Sequence, residues 1–488
     1  LALAGKSVLV LDHHYLPGGY CTAFPRKKYI FDAAVHHIGG AGRFGIIGQV
    51  LRRLDIDVKL VRLDPMDHLI FPDFEFTIPA DLDEYGEALA RRFPREKRRV
   101  PEFTRDLVRL YRQILAGNTA RPGGALREDG DLLRRYRGAT FARMLDDYFE
   151  DPALKRVLGG QWGYLGSPVE EISAVGMSQM LVNYLKDGAY YPIGSTQAFS
   201  DALARSLLRR GVHLLLKHRV EEILVEGERS AGVRIEGGAA VRAPIVVSNV
   251  DGRQLFHDLL PAGVCESERK RIRELRAASS YFGLYLALAR DADLSTLPRG
   301  FYHLDKSEGD GAIDWIYLSV TTEIDPNLAP GGARIVSATV GVRADTPAFR
   351  IWQEEKGAMA RAALRYLEQR VPNLGAKIEF QEAASPKTLA RYTLSKDGVA
   401  YGWAVVPDQA GDARFPQTTS LGGLYLAGQW TSPGPGVCAV AASGWSVANR
   451  ILFEESRAIS PRSGNLKRGR DVGPARIPAR RSAAGKLV

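Results

Sequence analysis

The sequence predicts a discontinuous α/β fold with an α+β portion set into it, and three stretches carry that reading. Near the start, Ser7–Phe24 ("SVLVLDHHYLPGGYCTAF") is an apolar run that ends in an acid, Asp12, and then turns at Pro17, Gly18 and Gly19. In the middle, "YYPIGSTQAFSDALARSLLRRGVHLLLKHRVEEILVEGERSAGVRI" reads as a loop, an amphipathic helix, a strand, and a hairpin whose first strand opens at Val220; the apolar strand "APIVVSN" follows. Near the end, "LGGLYLAGQWTSPGPGVCAVAASGWSVANRILFEE" places a buried strand before a Gly/Pro loop and a helix of small residues. Strand runs alternating with 3.6-residue periodicity are the pattern of an α/β layer structure.

Each element has a chemical reading. An acid at the end of a buried strand is the residue type that holds a dinucleotide ribose, and the glycine fingerprint that holds the phosphates lies roughly 20 residues before it. Counting back from Asp12 places those glycines before Leu1, and "LALAGK" reads as the last turn of a helix capped at Gly5. The expectation is therefore that the first strand and its glycine turn precede the given chain. Gly40-Ala41-Gly42-Arg43-Phe44-Gly45 matches G-x-G-x-x-G, but the segment before it carries Asp32, His36 and His37 instead of the continuous apolar run of a buried parallel strand. From Asp83 to Asp187 the pattern is mainly helical; Phe103, Leu107, Leu110, Tyr111 and Ile114 share one helix face. From Tyr281 to about Gln381, runs such as "YFGLYLALA" and "ARIVSATVG" predict an antiparallel sheet, with "MARAALRYLEQRV" as a helix on it. The C-terminal strand, glycine loop and helix start suit an anionic ligand, because main-chain N–H groups and the helix dipole face it with no Cβ in the way.

The net charge of +10 is uneven over the 488 residues: from Ser456 onward nine Lys/Arg stand against one acid, Asp471, leaving the body near +2. That tail is poor in large apolar residues and is expected to be disordered. A near-neutral body and a tail without aromatics exclude nucleic-acid binding as the main activity. The tail and "RRFPREKRR" (91–99) suit contact with an anionic membrane face. Cys21, Cys265 and Cys438 form no CxxC pair, which argues for a reducing, cytoplasmic setting and against a zinc or disulfide scaffold. His36 and His37 are adjacent, so on a strand they would face opposite sides. With His13 and His14 they make a poor ligand set, and no metal is expected.

Taken in order, "AGKSVLVLDHHYLPGGYCTAF", "YIFDAAVHHIGG", "YPIGSTQAFSDALA", "RVEEI", "APIVVSNVD" and "GLYLAGQWTSPGPGVCAVAASG" resemble the phytoene desaturase-like flavoproteins, which include carotenoid desaturases, carotenoid isomerases and retinol saturases. The resemblance runs to about Glu455. It implies a glutathione-reductase-type, Rossmann-like FAD-binding domain assembled from residues 1–65, 188–280 and 401–455. Set into it would be a substrate domain from 66–187, mainly helical, and 281–400, an antiparallel sheet, with 456–488 as the tail. On this sequence the resemblance implies that Asp12 holds the adenosine ribose and that Gly18 and Gly19 let the backbone pass close to the cofactor. Val220 would meet the adenine edge through its main chain. Gly428 and Gln429 would lie beside the ribitol and pyrophosphate, and Gly434, Gly436 and Val437 would start the helix aimed at the isoalloxazine. Asp12 stands where many relatives have Glu, Gln429 where many have Asp, and Ser195 where a glycine is common. "FDAAVHHIGG" is most similar to the retinol saturase branch. His36, His37, Tyr401 and Trp403 are the candidate catalytic residues on the substrate side.

The function expected is FAD-dependent redox chemistry on a carbon–carbon double bond of an apolar polyene or isoprenoid, served by an unidentified electron donor or acceptor. Two alternatives stand beside it. One is a flavin amine oxidase. The other is a non-catalytic binder of apolar ligands that has lost FAD, for which the absent phosphate loop and Gln429 argue, and against which the intact C-terminal glycine loop argues.

Overall fold

The computed structural model describes residues 1–119, 130–304, 313, 315–342 and 355–459. The basic tail from residue 460 onward lies outside them. The last helix, Val437–Ile459, runs past Ser456, where disorder was expected to begin.

The α/β portion is built from pieces far apart in sequence. Leu9–Asp12 pairs in parallel with His213–Leu216, and Val246–Ser248 pairs in parallel with Leu424–Leu426. Parallel pairing needs a crossover, and between Asp12 and His213 that crossover contains the whole first half of the inserted portion. The expected hairpin is present as Val220–Glu226 against Arg229–Ile235, extended by Ala240–Arg242. Gly5 caps a short 3-10 turn, Ala2–Ala4, in the left-handed conformation.

The helix Thr196–Arg209 is tied to the first segment by a buried acid. Asp32 accepts hydrogen bonds from Tyr191 Oη (2.6 Å), Thr196 N (2.8 Å) and Thr196 Oγ1 (2.7 Å). The residue before this helix, Ser195, takes φ 84° and ψ 171°. That region is nearly reserved for glycine and costs another residue about 1–3 kcal/mol.

Among the described residues, the stretch 82–187 forms the helices Leu82–Arg92, Val100–Thr119, Asp131–Tyr136, Phe141–Tyr148, Pro152–Gly159 and Ala174–Asp187, as the periodicity predicts. Phe103, Leu107 and Leu110 are fully buried in the core shared with the helix Ala174–Asp187, and Tyr111 donates to Asn183 Oδ1 at 2.8 Å. Within 91–99, Arg91 pairs with Glu87, and Arg99 with Glu96 and Glu150.

The sheet has seven strands in the order Ile378–Ala384, Ser280–Leu288, Arg334–Val342, Trp315–Ser319, Gly300–His303, Asp67–Ile70, Glu75–Ile78. Ser280–Leu288 is buried at every position because the sheet is covered on both faces, one of them by the helix Lys356–Arg370. Two expectations are corrected here. Asp67–Ile70 and Glu75–Ile78, read within a mainly helical stretch, are strands of this sheet, and Gly300–His303 meets Asp67–Ile70 in parallel instead of antiparallel. Asp67–Ile70 does not alternate, and Glu75–Ile78 alternates over only four residues, too short a run to stand out, so pairing with distant strands decides them.

Candidate active site

A cavity of about 1710 Å³ runs from Asp12 and Val220, past Gly18, Gly19, Gly428 and Gln429, to an aromatic end at His36, His37, Tyr164, Tyr184 and Tyr401. Both parallel strand pairs contribute to its wall.

At the strand end, Asp12 Oδ1 accepts from His14 N at 2.8 Å, and the Asp12 main-chain oxygen accepts from His218 N at 2.9 Å, which fixes the acid on the cavity wall. Gly19 has open space where a Cβ would stand, whereas a Cβ on Gly18 would fall 2.4 Å from Ser200 Oγ. Gly18 thus serves helix packing as well as the cavity. A Cβ on Gly428 would lie 1.9 Å from Asn249 Oδ1, and Gly428 N donates to Ser443 Oγ at 2.7 Å. The Gln429 main-chain oxygen accepts from Arg414 Nη2 at 2.8 Å. Arg414 is a buried cation whose other contacts are the carbonyls of Trp403 and Ala404, and burial lowers its pKa to about 9. Gly436 and Val437 line the cavity at the helix start, with nothing where a Gly436 Cβ would be; Gly434 is set back against Arg414.

This donor set fits FAD: a carboxylate for ribose hydroxyls, open glycines where the backbone must approach a phosphate or ring, and the N-terminus of a long helix for developing negative charge. Gln429 supplies hydrogen-bonding capacity there without charge. The second glycine match, Gly40 to Gly45, is a packed turn instead. A Cβ on Gly45 would fall 2.1 Å from the Gly40 carbonyl oxygen, and one on Gly40 would fall 2.6 Å from Cys438 Sγ. Cys438 donates to the Gly39 carbonyl oxygen at 2.6 Å, and burial pushes its thiol up to about 12, against any lowering by the helix start.

At the aromatic end the reading of His36 and His37 changes. The strand stops at Asp32, and Tyr281 and Tyr285 both donate to the Ala33 carbonyl oxygen (3.1 and 2.6 Å), holding a bend. Residues 33–37 are therefore irregular, and the two rings share neighbours instead of facing opposite sides. His36 stacks on Tyr317 at 3.9 Å between ring centroids, while His37 meets Tyr164 and Tyr184 edge-on, each at 5.1 Å. Burial lowers the His36 pKa to about 3 and carries His37 well below its ordinary value, so both imidazoles are neutral. Tyr401 lines the cavity. Trp403 does not: its ring packs edge-on against Trp430 at 4.8 Å, inside a separate core.

Sequence reasoning missed Tyr164, Tyr184, Tyr317 and Asp67. Tyr317 lies in the strand Trp315–Ser319, buried at every position, where a tyrosine beside another aromatic and two aliphatic residues gives no functional signal.

The flavin containing amine oxidoreductase family matches residues 1–452. The chain belongs to that family. It is an FAD-dependent oxidoreductase. Among curated proteins it is 25% identical to prolycopene isomerase 2 of an Oncidium hybrid cultivar, over 93% of this chain and 81% of that protein. It is 27% identical to a zeta-carotene-forming phytoene desaturase of Myxococcus xanthus (95% and 93%) and 24% identical to an all-trans-retinol 13,14-reductase of Rattus norvegicus (88% and 79%). Among solved structures, a triple mutant of putrescine oxidase superposes with a TM-score of 0.64 at 14% identity, covering 93% of this chain and 94% of that one, which is a likeness of fold. Among the described residues no helix is long and apolar enough to cross a membrane.

Proposed function

We propose that this family member acts on a carbon–carbon double bond of an apolar polyene or isoprenoid, with FAD held along the wall from Asp12 and Val220 to Gly428, Gln429, Gly436 and Val437. The single observation that carries the reading is the aromatic end of the cavity. It is lined by tyrosines and by two neutral histidines, and every carboxylate in the cavity wall is engaged elsewhere. Asp12 is the carboxylate set aside for the ribose at the opposite end, Asp251 is paired with Arg253, Glu382 with Arg26 and Lys356, and Glu455 with Lys6. A cationic amine brought there would meet no free countercharge, a burial that costs several kcal/mol. A conjugated hydrocarbon loses nothing. Bound FAD supplies two-electron acceptance or delivery at the helix start, and this chain's residues exclude water and orient the double bond against it. The names of the curated relatives span saturation, desaturation and isomerisation, and all three belong to the reading.

The test is turnover by the FAD-loaded chain, offered in parallel a cis-polyene and a short diamine. A change in the polyene absorption spectrum without peroxide from the diamine is expected. Peroxide from the diamine with an unchanged polyene overturns the proposal in favour of amine oxidation. Peripheral contact with an anionic membrane belongs to the same reading, since an apolar substrate must be collected from lipid. Phe44 is 73% exposed next to Arg43, with Arg52 donating to the Arg43 carbonyl oxygen. Co-sedimentation with anionic vesicles at low salt is expected, and protein left entirely in the supernatant rules it out.

A further inference from the structure

Behind the aromatic end lies a buried carboxyl group that the reading above does not use. Asp67 has no solvent exposure and lies outside the cavity wall. Its Oδ2 accepts from Gln161 Nε2 at 2.6 Å and Tyr164 Oη at 2.7 Å, and its Oδ1 accepts from Tyr317 Oη at 3.1 Å. Tyr317 Oη also lies 3.5 Å from His37 Nδ1. The other ring nitrogen of His37, Nε2, is buried and has no hydrogen-bond partner, although His37 lines the cavity. A buried polar atom without a partner is uncommon and calls for a ligand or a role. One carboxyl, one phenol and one imidazole thus form a line from the protein interior to a residue of the cavity wall, and the last nitrogen of that line has no partner.

We propose that Asp67 stores the proton exchanged with the substrate and that Tyr317 and His37 carry it to and from the cavity. With Asp67 protonated, its O–H faces Tyr317 Oη and the single phenol O–H turns from the carboxyl to His37 Nδ1. When a carbon then gains a proton, His37 Nε2 releases one to it, His37 Nδ1 takes one from Tyr317 Oη, and Tyr317 Oη takes one from Asp67. The N–H, O–H and carboxyl O–H bonds break as a C–H bond and new N–H and O–H bonds form, and Asp67 is left as carboxylate. When a carbon loses a proton, each transfer runs in reverse. No electrons pass along this line; bound FAD would take up or supply the electron pair. His37 is the residue that would touch substrate, and Asp67 and Tyr317 act through it.

The surroundings suit a group that must hold and release a proton. Burial raises the Asp67 pKa to about 6, opposed by Arg299 and by the hydrogen bonds from Tyr164, Gln161 and Tyr317. Of the other titratable groups at this end, His36 and His37 stay neutral through that range, and burial raises the phenols of Tyr164, Tyr184 and Tyr317, which stay protonated. Arg299 donates to the carbonyls of Pro65 and Met66, which fixes its position near Asp67.

The proposal rests on the polyene reading only for the carbon that receives the proton, and its first test does not need that substrate. In the full chain carrying nitrogen-15 histidine, the His37 ring signals, assigned by their loss in His37→Gln, are followed across pH 4–8. A step near pH 6 is expected in the unsubstituted chain, reporting Asp67 through Tyr317. It should vanish in Asp67→Asn and in Tyr317→Phe, while in the latter the Asp67 carboxyl vibration still titrates. A His37 signal that is flat in the unsubstituted chain, or a step that survives both substitutions, overturns the relay. The second arm uses the FAD-loaded enzyme in heavy water with a polyene. Asp67→Asn is expected to slow solvent deuterium exchange at the substrate carbon at least tenfold and to remove the pH dependence near 6. An unchanged rate and profile overturn the proposal. Absence of any polyene turnover by the unsubstituted enzyme defeats the functional reading alone, and the histidine titration then decides the relay by itself.

Discussion

Replacing Gly300 by alanine is expected to cost about 3–5 kcal/mol of folding free energy. Gly300 has φ 152°, and an added Cβ would stand 2.0 Å from the His68 carbonyl oxygen and 2.6 Å from His68 N. Both are backbone atoms of a paired strand, so neither can swing aside as a side chain would. The strain of placing a non-glycine residue there contributes about 1–3 kcal/mol, and forcing the strands apart a similar amount. The position matters because, among the described residues, Gly300–His303 against Asp67–Ile70 is the parallel seam that joins the early strands to the rest of the sheet. Losing it would also displace Asp67. Gly331 provides the control: it too has positive φ (66°), but nothing lies within 4 Å of its Cβ position, so alanine there should cost only about 1 kcal/mol. Denaturant midpoints of the two variants give the comparison, and equal losses would show that the close approach to His68 is relieved cheaply.

The stability of the chain should carry a signature of Asp67 that runs opposite to ordinary acid denaturation. The folded-state pKa is raised from 3.8 to about 6, with burial as the main cause. A raised value means the folded state holds the proton more tightly than the unfolded state does. The contribution is therefore fully present below the unfolded value and is lost as pH rises through about 6. A shift of roughly two units corresponds to about 3 kcal/mol, of which about 2–3 kcal/mol falls between pH 4 and 7. Asp67→Asn keeps the shape and removes the titration. The difference in unfolding free energy between the unsubstituted chain and this variant should shrink by that amount from pH 4 to pH 7, while the other carboxylates cancel. A constant difference would mean that Asp67 is ionised in the folded state across the whole range.

Much of the scaffold was legible from short-range pattern. Strand Leu9–Asp12, the hairpin opening at Val220, strand Leu424–Leu426 and the helix beginning at Val437 each announce themselves through apolar runs bounded by glycine or proline. That the acid and glycine positions would meet around one cavity was legible for the same reason, since such residues carry their backbone and charge requirements in their identity. The substrate side was not. Adjacent His36 and His37 looked like residues on opposite strand faces, and the bend held by Tyr281 and Tyr285 removed the strand that the inference assumed. Trp403 looked like a wall residue and is core, because three positions along an irregular segment do not say which way a ring points.

The sequence by itself determined where this chain turns, which runs are buried, and which glycines and acid could face a dinucleotide, because those properties belong to neighbouring residues. The meeting of Asp67 with Tyr164 and Tyr317 was decided only by the tertiary structure. Tyr317 is 250 positions from Asp67, and Tyr164 is 97. Nothing local distinguishes that aspartate from a solvated one. Its burial, its hydrogen bonds and its raised affinity for a proton all come from a sheet that pairs strands from opposite ends of the inserted portion, where low dielectric and distant partners act on one carboxyl group.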